Sequence, residues 1–183
     1  MLTLNLQPLS PEFRILLLVV AVVAGIYDAK YRRIPNWLTL PGLVLGVSLH
    51  CYSGGMAGLV FALKGFGLAT LIYFTLFLLR GMGAGDVKLM AAAGAIAGAQ
   101  AWFVLFLATS IAGAIVAVAI SLGYGRFRST VFNVMQIVKE LASFRAPYTR
   151  QPQLDLHHAT ALRAPHGTII AVTLVLLMAA RVL

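Results

Sequence analysis

Two aspartates are the residues in this sequence with the clearest potential for chemistry. The 183-residue chain has five acidic side chains, and Asp28 and Asp86 each lie at the edge of a long apolar run. A carboxyl group near hydrocarbon is costly to ionise, so an acid in such a place is a functional candidate. Two carboxyl groups that meet share a proton, because the charge of one disfavours ionisation of the other. Such a pair can activate water against a carbonyl group, as in an aspartyl hydrolase.

The residues before Asp86 predict room for a substrate. Gly83 and Gly85 come just before the acid, and glycines allow a peptide backbone to approach closely. The alternative interpretation is structural, in which Asp86 caps a helix that begins at Val87. Lys88 follows, either as a residue that influences the acids or the substrate, or as a basic side chain that reaches towards the membrane surface.

The residues after Asp28 predict a rigid turn. The tripeptide Ile34-Pro35-Asn36 follows the acid, and Pro35 restrains the backbone where the next helix begins. That turn would hold Asp28 at a defined depth, although Asp28 could instead pair with a neighbouring basic residue at the surface. His166, just before the last apolar run, is a further candidate to line the site or to cap that run.

The composition indicates what positions these residues. The chain is 61% hydrophobic and 10% charged, with a mean hydropathy of +0.93, which excludes an ordinary soluble domain and a disordered chain. We predict one all-α, polytopic membrane domain over residues 1–183, with about six transmembrane helices and one amphipathic surface helix within 129–143. The predicted spans are 13–28, 37–52, 56–79, 87–99, 101–122 and 166–182, with a cytoplasmic segment at 123–164.

Charge and glycine patterns refine this prediction. With an external N-terminus, the predicted inner loops hold eleven of the fourteen basic residues, so both termini should face outward and loops 28–36 and 80–86 inward. The basic residues are expected to meet anionic lipids, not nucleic acid. The pairs Gly42/Gly46 and Gly94/Gly98 predict close helix packing, with spans four and five tightly packed.

Both acids lie in motifs that resemble those of type IV prepilin peptidases, which are membrane aspartyl proteases of the GxGD type. The motifs are Asp28-x5-Ile34-Pro35-Asn36 and Gly83-Ala84-Gly85-Asp86-Val87-Lys88-Leu89. The resemblance extends over the whole chain in the order and placement of the motifs. Pro165-His166-Gly167, before the last span, resembles a weaker feature of the same family.

The resemblance implies an endopeptidase of the bacterial inner membrane. It would remove the short basic leader of type IV prepilins or pseudopilins at the cytoplasmic face, with Asp28 and Asp86 catalytic and with no cofactor or metal. The expected supporting or substrate-binding residues are Gly83, Gly85, Lys88, Pro35, Asn36 and His166. Larger members carry a cysteine-rich zinc-binding insertion and an N-methyltransferase activity. Because Cys51 is the one cysteine here, we expect no methylation. The short length is similar to the peptidases of tight-adherence (Flp) pilus systems.

Three alternatives remain open at the level of sequence. Membrane acids also serve as proton relays in transporters, but transporter sites lie near the midplane and not at one edge. A non-catalytic scaffold of a secretion machine would need neither the acid pair nor the glycines. A relative that cleaves within the membrane would also fit the glycine-rich motif, and the Ile-Pro-Asn turn favours the prepilin group over it.

Overall fold

The computed structural model describes residues 9–142 and 165–183, which form five helices and no strands. The helices are α1 (Pro11–Tyr31), α2 (Asn36–Leu78), α3 (Ala84–Gly123), α4 (Phe127–Ala142) and α5 (His166–Ala179). The all-helical class is therefore confirmed. The division into six membrane-spanning helices stays a prediction, because four of the predicted spans fall within α2 and α3.

Helix α2 changes direction at Gly55, within the turn that separates the second and third apolar runs. Gly55 has φ 56 and ψ −135, a backbone conformation that residues other than glycine rarely adopt. A Cβ on Gly58 would overlap the carbonyl oxygen of His50. In a straight helix these two residues would be about 12 Å apart, so α2 folds back on itself at Gly55.

Helix α3 changes direction at Gly98, which has φ 75 and ψ 168. The break lies two residues before Gln100, the expected boundary. Gly98 of α3 adjoins Gly65 of α2. Eight residues later in each helix, the rings of Phe106 and Tyr73 are 5.9 Å apart. The short loop 79–83 makes the first part of α3 antiparallel to the second part of α2. After Gly98, α3 therefore reverses and runs in the direction of that part of α2.

The first part of α3 is the centre of the fold, and it is buried almost throughout from residue 87 to 98. Small residues let its neighbours approach. A Cβ on Gly65 would overlap the carbonyl oxygen of Gly94, and a Cβ on Gly46 would be 2.6 Å from a side-chain carbon of Ile96. Close packing at the predicted glycine pairs is confirmed. However, Gly94 packs closely against α2 and not against the predicted fifth span. The reason is that Gly65 of α2 and Gly94 of α3 face each other and neither has a side chain to keep the two helices apart.

The outer surface of the fold is apolar. Within residues 9–142 and 165–183, α2 and α3 are the two helices long and apolar enough to cross a membrane, and α5 is a shorter apolar helix. Large aliphatic side chains such as Ile15, Leu71 and Ile115 are more than half exposed. An all-helical protein with such a surface is suited to lipid and not to water, so this is a membrane protein.

Helix α4 occupies the place of the predicted surface helix and extends it slightly at its start. It contacts α3 through a hydrogen bond of 2.7 Å from the Ser121 hydroxyl to that of Thr130. Phe132 and Met135 are exposed on it, so its apolar side chains are free to contact lipid. That α4 lies on the membrane surface stays a prediction. Residues 143–164 of the predicted cytoplasmic segment lie outside the described residues.

Candidate active site

Asp28 lies in the last turn of α1. The helix begins at Pro11, continues past the predicted end at residue 28, and stops at Tyr31, because Arg32 adopts a left-handed conformation with φ 54. Asp28 is only 8% exposed, and its Oδ2 accepts a hydrogen bond of 2.8 Å from the Gly167 N–H at the start of α5. A buried carboxyl group is thus held by the N-terminus of another helix, where negative charge is stabilised.

Asp86 lies in the first turn of α3, which corrects the structural alternative that placed it before a helix beginning at Val87. The helix begins at Ala84, with Gly83 as its N-cap. Asp86 Oδ2 accepts a hydrogen bond of 3.3 Å from the Gly83 N–H. The reason is local. A carboxylate at the third position of a helix accepts a hydrogen bond from a free backbone N–H, and the positive end of the helix dipole stabilises its charge.

The two carboxyl groups line one cleft, although they come from helices far apart in the sequence. The cleft has a volume of about 360 Å³ and is lined by Asp28, Asp86, Asn36, Lys88 and residues 32–34 and 83–85. A cleft of this volume is in the range of small-ligand sites, so it can accept a short stretch of peptide.

The two predicted glycines lie where the turn after α1 approaches the start of α3. A Cβ on Gly85 would be 3.1 Å from Ile34 Cβ, and a Cβ on Gly83 would be 3.1 Å from Asp86 Oδ2. Both distances are tighter than ordinary van der Waals contact. Glycine at these positions therefore keeps the cleft open and leaves the Asp86 carboxyl in place.

Asn36, directly after Pro35, and Lys88 form a second connection at the cleft. Pro35 is the N-cap of α2 in an extended conformation, as the fixed φ of proline favours. Asn36, the first residue of α2, accepts a hydrogen bond of 2.9 Å at Oδ1 from the Lys88 ammonium group. Sequence reasoning named these residues separately and did not foresee that they bond to each other.

His166 is the first residue of α5 and lies near the acids. Its Nε2 is buried and has no hydrogen-bond partner among the residues that the structure describes. Its ring is 6.3 Å from that of Tyr73, a side chain only 1% exposed. Tyr73 and Gly167 were not among the predicted site residues. The sequence signal that could have pointed to Tyr73 is its hydroxyl group within the apolar run 56–79, because a buried tyrosine hydroxyl usually has a hydrogen-bond partner.

The fold and the site define a helical membrane protein with two carboxyl groups in one cleft. The model of the type IV leader peptidase family matches residues 15–118, which is more than half of the chain and includes both acids. The chain therefore belongs to the type IV leader peptidase family, and the resemblance seen in its motifs is confirmed. No curated protein and no solved structure matches the chain. The family match ends within α3, so it does not include α4 and α5.

Proposed function

We propose that the protein removes the leader peptide from type IV prepilins or pseudopilins, with Asp28 and Asp86 as its catalytic pair. The observation that carries this proposal is the shared cleft, which brings together carboxyl groups from α1 and α3. Membership of a leader peptidase family supplies the reaction class. It favours a peptidase over the transporter and scaffold alternatives.

The proposed chemistry needs one ionised and one protonated carboxyl group. The carboxylate takes a proton from water, and the water oxygen bonds to the carbonyl carbon of the scissile peptide. The protonated partner donates to the carbonyl oxygen, which gives a neutral tetrahedral diol. As the C–N bond breaks, the first acid returns its proton to the leaving nitrogen. The second acid recovers its proton from a diol hydroxyl, so both acids end as they began.

The surroundings of the cleft support a peptide substrate. Gly83 and Gly85 leave backbone without side chains at the wall, where an extended segment can approach. Asn36 and Lys88 supply polar groups at the same wall. A substrate leaving lipid needs such partners, since its backbone N–H and C=O groups must remain hydrogen-bonded.

The distribution of basic residues supports a cytoplasmic orientation of the cleft. Lys30, Arg32, Arg33 and Arg80 lie in the sequence beside the two acid motifs. Lys and Arg are enriched on cytoplasmic loops. We therefore propose that leader cleavage occurs at the cytoplasmic face of the bacterial inner membrane. The start of α1 and the end of α5 would then lie on the outer side of that membrane, as the charge pattern predicts.

The substrate subgroup and the lack of methylation belong to the same proposal. We propose Flp-type prepilins as substrates, because the chain resembles the peptidases of those systems in its short length. We propose cleavage without methylation, because one cysteine cannot supply the paired cysteines of the zinc-binding insertion. The partners are then the prepilin and anionic membrane lipid.

The test is cleavage of a purified Flp-type prepilin, and of another type IV prepilin, by purified protein in lipid. Asp28→Asn and Asp86→Asn preserve the size of each side chain and remove its ionisable proton. We expect both variants to remain helical and membrane-bound and to lose cleavage, while a chelator leaves the wild-type rate unchanged. Normal cleavage by either variant would overturn the catalytic pair, and no cleavage of any prepilin by folded wild-type protein would overturn the function.

A further inference from the structure

The start of α5 touches Asp28 directly, although it lies beyond the region that the family model matches. The Gly167 N–H donates a buried hydrogen bond of 2.8 Å to Asp28 Oδ2. A Cβ on Gly167 would be 3.0 Å from Asp28 Cβ and 3.1 Å from Ile34 Cδ1. The backbone of α5 therefore comes as close to the acid as a residue without a side chain permits.

A second contact keeps this turn of α5 against α1. The Thr168 hydroxyl donates a hydrogen bond of 2.9 Å to the carbonyl oxygen of Gly25. A Cβ on Gly25 would be 2.6 Å from Ala171 Cβ. Glycines at 25 and 167 thus allow the two helices to touch along the turn of α1 from Gly25 to Asp28, and Thr168 fixes them in register.

The two acids differ in the hydrogen bonds that they accept. Asp28 Oδ2 accepts from Gly167 at 2.8 Å in a buried position, at the N-terminus of a helix other than its own. Asp86 Oδ2 accepts from Gly83 at 3.3 Å in a more exposed position. A short N–H bond to a carboxylate favours the ionised form more than a long one does.

We propose that Gly167 is a positioning residue that holds Asp28 as the ionised member of the pair. This inference rests on the proposed function. Asp28 then takes the proton from water, and Asp86 carries the proton that is donated to the substrate carbonyl. When the C–N bond breaks, Asp28 gives its proton to the leaving nitrogen and Asp86 recovers its own. No further reactant is required.

Three forms of the full chain separate the effect of the N–H from that of space. Gly167→Ala keeps the N–H and adds a methyl group that must displace Asp28 or Ile34. An ester in place of the residue 167 amide, introduced by semisynthesis of the C-terminal helix, removes the N–H and adds no side chain. Gly113→Ala is the matched control, since a Cβ there meets nothing within 4 Å.

Thr168→Val is the second control, because it loosens α5 without touching Asp28. The readouts are kcat, KM and the pH profile of kcat/KM. The charged or titratable groups around Asp28 that could also shape that profile are Arg32, Arg33, Asp86, Lys88 and His166. They are the same in every variant, so a change of profile reports the altered contact.

We expect Gly167→Ala to lower kcat about tenfold to a hundredfold with little change in KM, because a displaced base loses its geometry. We expect the ester to change the position of the acidic limb of the profile, because it removes the hydrogen bond that distinguishes Asp28 from Asp86. Gly113→Ala should match the wild type, and Thr168→Val should lower thermal stability but leave the limb in place.

Three results would overturn the inference. The first is a wild-type kcat and profile for both altered forms of residue 167. The second is an unmoved acidic limb for the ester, and the third is the same shift for Thr168→Val, since either of these would reduce α5 to a structural role. These results differ from failure of the proposed function, in which Asp28→Asn would cleave normally or the wild-type protein would not cleave prepilins at all.

Discussion

The ammonium group of Lys88 donates a hydrogen bond of 2.9 Å to Asn36 Oδ1, across 52 positions of sequence. Lys88 lies two residues after Asp86 on α3, and Asn36 begins α2 after the turn that follows Asp28. The bond therefore connects the segment that carries one acid to the segment that follows the other. Because both side chains are exposed, this connection can be changed without disturbing the core.

We expect Lys88→Met and Asn36→Ala each to lower kcat/KM by about threefold to tenfold, since a hydrogen bond between exposed side chains contributes about 1 kcal/mol. The double variant should be no worse than the poorer single variant. The measurement is a double-mutant cycle on leader cleavage. Effects of the two substitutions that simply add would show that the bond does not act in catalysis.

Gly85 offers a test of the cleft wall. A side chain at this position meets Ile34 Cβ, so Gly85→Leu should push the turn 32–36 away from α3 and lower kcat/KM by at least about tenfold. The control is Gly81→Ala in the loop just before α3, where an added Cβ is 3.5 Å from the Leu76 carbonyl oxygen, an ordinary contact. Equal cleavage rates for the two variants would contradict this account of the wall.

Gly65 offers a test of the packing between α2 and α3. An added Cβ would overlap the Gly94 carbonyl oxygen, and backbone cannot yield as a side chain can. We expect Gly65→Ala to destabilise the protein by about 3 kcal/mol. Gly67→Ala, two residues away, meets nothing within 4 Å and should be neutral or slightly stabilising, because alanine favours helix over glycine by about 1 kcal/mol. Thermal unfolding in detergent, followed by helicity, measures the difference between them.

His50 lies away from the cleft, near the breaks in α2 and α3. It offers a test of whether that end of the bundle contributes to stability and not to catalysis. Its Nε2 lies 3.0 Å from the Ile96 carbonyl oxygen, near the break at Gly98, and its ring stacks on Phe13 with centroids 3.9 Å apart. His50→Phe retains an aromatic ring and removes the hydrogen bond. We expect a loss of about 1–3 kcal/mol in stability, from a buried carbonyl left unpaired.

The same variant, assayed well below its unfolding temperature, should cleave prepilin with wild-type kcat and KM. A lowered kcat in a fully folded sample would mean that this end of the bundle communicates with the cleft.

The sequence alone predicts a helical membrane protein, and it singles out Asp28 and Asp86 from five acids as the candidate pair. The reason is that the cost of burying charge and the length of apolar runs are local properties of a chain. The break at Gly55 was predictable for the same reason, since Ser53-Gly54-Gly55 is a local turn signal. The match to the type IV leader peptidase family covers residues 15–118, the segment that contains both motifs.

Contacts between distant helices were decided by tertiary structure. Nothing in the hydropathy of α5 indicates that the Gly167 N–H bonds to Asp28, 139 positions away. The exact position of the break at Gly98, two residues before the predicted boundary, and the Lys88–Asn36 bond were likewise absent from the prediction. Hydropathy records which residues avoid water, but which helix faces meet depends on where small residues let backbones approach. That information is shared among several segments, so only the assembled bundle contains it.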